Sequence, residues 1–202
     1  MNLLQRLRLF TAGCLLVMLP GLALSQGTPG VRAEYFNYSG TPPSSVPASG
    51  AVVDRVESTI NVLRSTASPA PGVGSDNYQT RYTGSILIPA TGSYTFQVDA
   101  DDGIRFWVDC NNDGVFQNNE LFDRWVDQST TTYQVGCTNN LVAGNRYKFK
   151  LEYYERGGEQ SIRLSWAGPN PVGSTPVVIP KGNGTQGLYS GVIDSTPPTI
   201  AS

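Results

Sequence analysis

Residues 109–120 read DCNNDGVFQNNE, and the spacing D-x-N-x-D-G-x-x-x-x-x-E puts oxygen donors where a twelve-residue calcium loop needs them. Asp109, Asn111 and Asp113 offer side-chain oxygens at loop positions 1, 3 and 5. Gly114 permits the sharp turn at position 6, Val115 presents its backbone carbonyl at 7, and Gln117 at 9 can reach an ion through water. Glu120 at position 12 offers both carboxylate oxygens, and the apolar Phe116 at position 8 can pin the loop to a core. The competing reading is a polar hairpin tip, because Asn, Asp and Gly dominate turns in any case. A tip alone does not require Glu at 12 or an apolar residue at 8. One of the four side-chain donors at positions 1, 3, 5 and 12 is the neutral Asn111, so a modest site suited to calcium-rich surroundings is expected, acting as a stability clip. The flanking segments read as strands, so a sensor-type helix opening is not expected.

Seven residues upstream, Asp101-Asp102-Gly103 forms a second acidic pair. It is open between an ion site and a plain turn, in which Asp caps the backbone and Gly takes positive φ. Cys110 and Cys137 follow the leader described below and make an even pair, expected as a disulfide in an oxidising compartment, with two free thiols as the alternative. The chain has no histidine, which excludes Ser-His-Asp triads, Cys-His pairs and the usual zinc sites. Glu152, Glu155 and Glu159 are the carboxylates to weigh for glycoside hydrolysis. Glu152 and Glu155 fall on opposite strand faces by the period of two, and nothing marks a partner across a cleft, so a non-catalytic protein is expected.

These motifs need a scaffold. Residues 1–25 pair Arg6 and Arg8 with the run LFTAGCLLVMLPGLAL and a small-residue ALS, the pattern of a secretory signal peptide that would take Cys14 with it. The alternative of an uncleaved anchor is weakened by Pro20 and Gly21. Cleavage leaves 177 residues, with 12 basic against 16 acidic side chains and a net charge of −4. Such a secreted, acidic chain without a basic patch argues against nucleic acid and against insertion into a membrane after cleavage. From Tyr78 onward, short alternating segments separated by Gly-containing turns predict an all-β, antiparallel two-sheet β-sandwich with the calcium loop inserted in a hairpin. In YKFKLEYY, Tyr147, Phe149, Leu151 and Tyr153 face one way, as in a half-buried strand. STINVLRS fits either a helical turn or a strand. Trp107 and Trp166 are assigned to the core, while Trp125 is left open. The domain is placed at 26–190 and a linker-like tail at 191–202, with room for further domains beyond it. Asn37 and Asn183 head N-x-[ST] sequons.

VRAEYFN, RYTGSILIPATGSYTFQVDADDGIRFWVD, YKFKLEYYERGGEQSIRLSW and VIPKGNGTQGLYS occur in an order that resembles the PA-fourteen domain, named for the N-terminal portion of anthrax protective antigen. That family also occurs in yeast flocculins, bacterial adhesins and glycosidase inserts. The resemblance implies a β-sandwich often used in carbohydrate recognition and usually not catalytic. It implies that Asp101 and Asp102 hold a calcium ion that coordinates sugar hydroxyls. Gly157, Gly158 and Gln160 of RGGEQS would complete the site with carbonyl or amide oxygens. The expected partner is then an extracellular or cell-surface glycan. A calcium-stabilised spacer in a surface assembly, without sugar binding, is the other reading.

Overall fold

The computed structural model describes residues 27–191. The leader assigned to 1–25 and the tail beyond Gly191 lie outside the described residues. In chain order, β1 (Thr28–Pro29), β2 (Val31–Asn37), β3 (Val53–Glu57) and β4 (Asn61–Ser65) precede the long β5 (Tyr78–Leu87). β6 (Thr95–Asp101), β7 (Ile104–Val108), β8 (Leu121–Arg124) and β9 (Thr131–Gly136) follow, with one 3-10 turn at Asn118–Glu120. β10 (Arg146–Glu155), β11 (Gln160–Gly168), β12 (Gly173–Val178) and β13 (Gly187–Ser190) complete the set. STINVLRS is therefore a strand at its C-terminal half.

β5 is the spine of an eight-stranded sheet. β10 pairs with it antiparallel along its whole length, from Tyr78 opposite Glu155 to Leu87 opposite Arg146. Its other edge is shared, with β2 covering Tyr78–Thr83 and β13 covering Ser85–Leu87. Gly84 sits at the changeover, where a Cβ would come within 2.5 Å of the Tyr189 carbonyl, so no side chain fits. β7 and then β8 continue the sheet beyond β10, β3 beyond β2, and β1 beyond β13. The second sheet has five strands: β9, β6 and β11 are neighbours, and β4 and β12 share the outer edge of β11. The fold is thus the expected antiparallel two-sheet β-sandwich.

The period of two fills the space between the sheets. Phe96, Val98 and Ala100 of β6 meet Ile104, Phe106 and Val108 of β7 and Phe149, Leu151 and Tyr153 of β10, all buried. Phe96 and Phe106 meet edge-on across the gap with ring centroids 5.8 Å apart, a contact worth about 0.5–1.5 kcal/mol beyond area burial. Trp166 is in this core, 5.8 Å from Tyr94. Trp107 is not. β7 turns Ile104, Phe106 and Val108 inward, so Trp107 faces out, where Lys150 Nζ sits 3.7 Å from its ring centroid.

β10 also departs from the half-buried pattern, because Glu152 and Tyr154 on its outer face are buried as well. Residues 38–52 cover that face. Their carbonyls at Pro43, Ser44 and Val46 accept hydrogen bonds from Trp125 Nε1 (2.9 Å), Arg105 Nη1 (2.8 Å) and Arg81 Nη2 (3.0 Å). Under this cover Arg81 lies 3.6 Å from both Glu34 and Glu152, so the buried carboxylates are paired.

Cys110 and Cys137 form a disulfide with Cα atoms 5.5 Å apart. Cys110 follows β7 of the eight-stranded sheet and Cys137 follows β9 of the five-stranded sheet, so the bond staples sheet to sheet rather than closing one hairpin. Its 27-residue loop implies about 3.5 kcal/mol of unfolded-state entropy. The double variant Cys110→Ser/Cys137→Ser is expected to unfold at lower denaturant with a loss of about 2–4 kcal/mol. An unchanged midpoint would contradict the staple.

Candidate functional site

Four connections cross between the sheets at the same end of the sandwich: residues 66–77, 102–103, 125–130 and 156–159. Register forces two of them together. β6 ends on Asp101 opposite Ser161 of β11, and β7 begins on Ile104 opposite Tyr153 of β10. The Asp101-Asp102-Gly103 corner therefore lies beside the end of β10 and is an inter-sheet corner rather than a hairpin turn. A Cβ on Gly103 would sit 2.0 Å from the Tyr154 ring, so the corner passes this close only without a side chain.

Oxygens of Asp101, Asp102 and Glu155 lie within 4.8 Å of one another, and among the described residues this is the one such group of three or more acidic or Cys side chains. The Asp101–Asp102 peptide bond is cis. Asp102 Oδ1 accepts from the Gln128 backbone N–H (3.0 Å) and Oδ2 from the Arg156 N–H (2.9 Å). Asp101 Oδ2 accepts from Thr130 Oγ1 at 3.1 Å. Glu155 has no exposed surface; its Oε2 lies 2.7 Å from the Tyr153 hydroxyl, while Oε1 has no partner. By its sequence alone Glu155 is a candidate only for carboxylate catalysis. The period of two already turned it inward with Tyr153, at the last position of its strand.

Around this group stands a polar and aromatic rim. Trp125 meets Tyr154 edge-on at 4.8 Å, the Tyr154 hydroxyl donates to Asp127 Oδ1 (2.8 Å), and Asp127 pairs with Arg156. The Tyr38 hydroxyl donates to the Glu155 carbonyl at 2.9 Å. Gly157 and Gly158 lie exposed in the neighbouring connection, and the Gly158 N–H donates to Asp76 Oδ1 at 3.2 Å. Gln160 points elsewhere. Its side chain is buried, with Oε1 taking the Tyr78 hydroxyl and Nε2 donating to the Ala67 carbonyl, so its amide oxygen is already used.

The 109–120 loop joins β7 to β8 at the opposite end of the sandwich. The five residues of β7 separate it from the acidic pair by about 17 Å at roughly 3.3 Å per residue. Buried Asp109 accepts from the N–H groups of Asp113 (3.1 Å) and Gly114 (2.9 Å), and Glu120 from those of Cys110 (2.8 Å) and Gln117 (3.0 Å). Asn111 Oδ1 accepts from the Asp113 N–H at 3.0 Å, and Gln117 Nε2 donates to Asp113 Oδ2 at 2.7 Å. Val115 is exposed and Phe116 partly buried. The loop's oxygens thus face its own amides.

Calcium takes six to eight hard oxygen donors. The first group fits that demand with three carboxylates and one buried oxygen left without a partner. Residues 27–178 match the PA14 domain profile. The chain belongs to the PA14 domain family. Among curated proteins, the anti-sigma-I factor RsgI3 of Acetivibrio thermocellus is 32% identical over 138 residues, which cover 68% of this chain and 19% of that protein. The PA14 chain thus spans about a fifth of that relative's length. A solved anti-sigma factor domain-containing protein superposes with a TM-score of 0.64 at 29% identity, over 85% of this chain and 51% of that one. A PA14 sugar-binding domain from an RTX adhesin shares the fold at 18% identity, with a TM-score of 0.55 over 75% and 94% of the two chains.

Burial, with the nearby charges of Asp102 and Asp101, pushes the Glu155 carboxyl up to about 7. Burial also raises Asp101 and Asp102. The Tyr153 hydroxyl is in reach of both the Asp101 carbonyl and Glu155 Oε2. A phenol carries one proton, so both contacts are satisfied together only when Glu155 is protonated and donates. A carboxyl raised in the folded state stabilises it most below its unfolded value, near 4.5, and that contribution is lost as pH climbs through about 7. In metal-free buffer, wild type should therefore lose stability between about pH 5 and about pH 8 by more than Glu155→Gln does. Denaturant unfolding at the two pH values checks this, and identical losses would contradict it.

Proposed function

We propose that this PA14 domain is a calcium-dependent carbohydrate-binding module, secreted or displayed at a cell surface, and not an enzyme. One observation carries the reading: Glu155 Oε1 is buried without a hydrogen-bond partner in a cluster with Asp101 and Asp102. An orphaned buried acceptor costs about 1–3 kcal/mol, more when charged, and a cation would offset that cost. Asp101, Asp102 and Glu155 would hold the ion, and the exposed Gly157–Gly158 backbone lies on the connection beside them. A bound calcium exchanges water for hydroxyl oxygens readily, which is the chemistry a glycan needs. The Asp127, Arg156 and Trp125 rim supplies hydrogen bonds and an apolar surface at the same end. The fold shared with a sugar-binding domain of an adhesin supports this reading.

The second reading is a calcium-stabilised spacer of a larger assembly. It is favoured by the small share of the anti-sigma relative that the chain covers and by the disulfide beside the 109–120 loop. In both readings, Asp109, Asn111, Asp113, Val115, Gln117 and Glu120 would clip the loop around a second calcium ion.

A glycan array with and without chelator separates the readings. The first expects calcium-dependent signal that Asp102→Ala abolishes and Glu120→Ala keeps. Binding that ignores chelator, or no glycan bound with calcium present, would sink it. Calorimetric calcium titration of the same two variants should remove one site each.

A further inference from the structure

Residues 125–130, the crossing between β8 and β9, touch both neighbouring crossings. We propose that Gln128 is the positioning residue of the acidic site, fixing Asp102 for the ion; this rests on the reading of Asp101, Asp102 and Glu155 as a calcium site. Gln128 grips Asp102 at two atoms. Its backbone N–H donates to Asp102 Oδ1 (3.0 Å) and its Nε2 donates to the Asp102 carbonyl (2.9 Å). Side chain and main chain of one residue are thereby held against a single partner, which removes the rotations that would swing the carboxylate away.

The amide of Gln128 is itself oriented. Its Oε1 takes the Tyr133 hydroxyl, which turns Nε2 toward Asp102. The Tyr133 ring packs on Phe122 with centroids 4.9 Å apart, so the two strands flanking the crossing set that orientation. Two residues on, Thr130 Oγ1 holds Asp101 and lies 2.9 Å from Ser161 Oγ, which accepts from the Arg64 N–H at 3.0 Å. Asp127 ties the same segment to Arg156. Three carboxylates within 4.8 Å of one another repel as they ionise, so a rigid holder matters most in the empty site. Partners that orient ligands in this way typically contribute 10–100-fold in metal affinity.

Gln128→Met keeps the length and removes the amide, leaving the backbone contact. Calcium titration should show the Asp102-dependent Kd rising at least about tenfold, with the thermal midpoint in chelator unchanged. Tyr133→Phe should weaken the same site by a smaller factor. A wild-type Kd in Gln128→Met overturns the proposal, as does a weaker Kd accompanied by a lowered midpoint in chelator. If wild type shows no calcium site that Asp102→Ala removes, the reading of the acidic cluster falls and this proposal with it. If that site exists and Gln128→Met leaves it intact, only the role of Gln128 falls.

Discussion

Two sheets can share one core only if the chain crosses between them, and each crossing exposes backbone that neither sheet pairs. In this sandwich four crossings lie at one end, and that crowding is what the candidate site depends on. β6 stops at Asp101 because its partner β11 begins there, and β7 restarts at Ile104 against β10. The corner between them must pass close to Tyr154, which only Gly103 permits. Carboxylates from three chain positions are then pressed together, Asp102 and Glu155 buried and Asp101 partly so. Burial raises all three, and the backbone N–H groups of Gln128 and Arg156 offset part of that for Asp102.

The far end is built on a different principle. There the disulfide holds sheet to sheet, and the 109–120 loop closes on its own amides through Asp109 and Glu120. The two ends are joined by β7, whose inward residues belong to the core and cannot move independently of it. The sheet-to-sheet staple and the acidic group are thereby separated along one short strand. The crossing at 125–130 completes the division, because it leaves β8 at the acidic end, where Arg124 pairs with Ile104, and grips the acidic pair there.

The alternation along β5, β6, β7 and β10 was sufficient to name the sandwich, since burying every second residue leaves few other architectures. The same alternation, applied to β7, places Trp107 outside, where Lys150 covers its ring. Glu155 was legible as an inward residue at a strand end but not as a member of the acidic group, because its neighbours are more than fifty positions earlier. Gln160 illustrates the converse. Its type suits a ligand, yet its side chain is consumed by Tyr78 and Ala67. Burial of Glu152 was hidden as well, because the covering segment 38–52 carries no periodic signal and binds through carbonyls rather than side chains.

Local chemistry, then, was written in the residues themselves: the calcium-type spacing at 109–120, the Asp pair before a glycine, the paired cysteines and the alternation of the strands. The cysteine pair was legible from an even count in an oxidising compartment; each of the others rests on residues a few positions apart, or on a period that any strand must obey. Which carboxylates meet, which amide holds them and which two sheets the disulfide joins were decided only by tertiary structure. Those contacts follow from strand register and from where the chain changes sheets, and neither leaves a mark in the order of neighbouring residues.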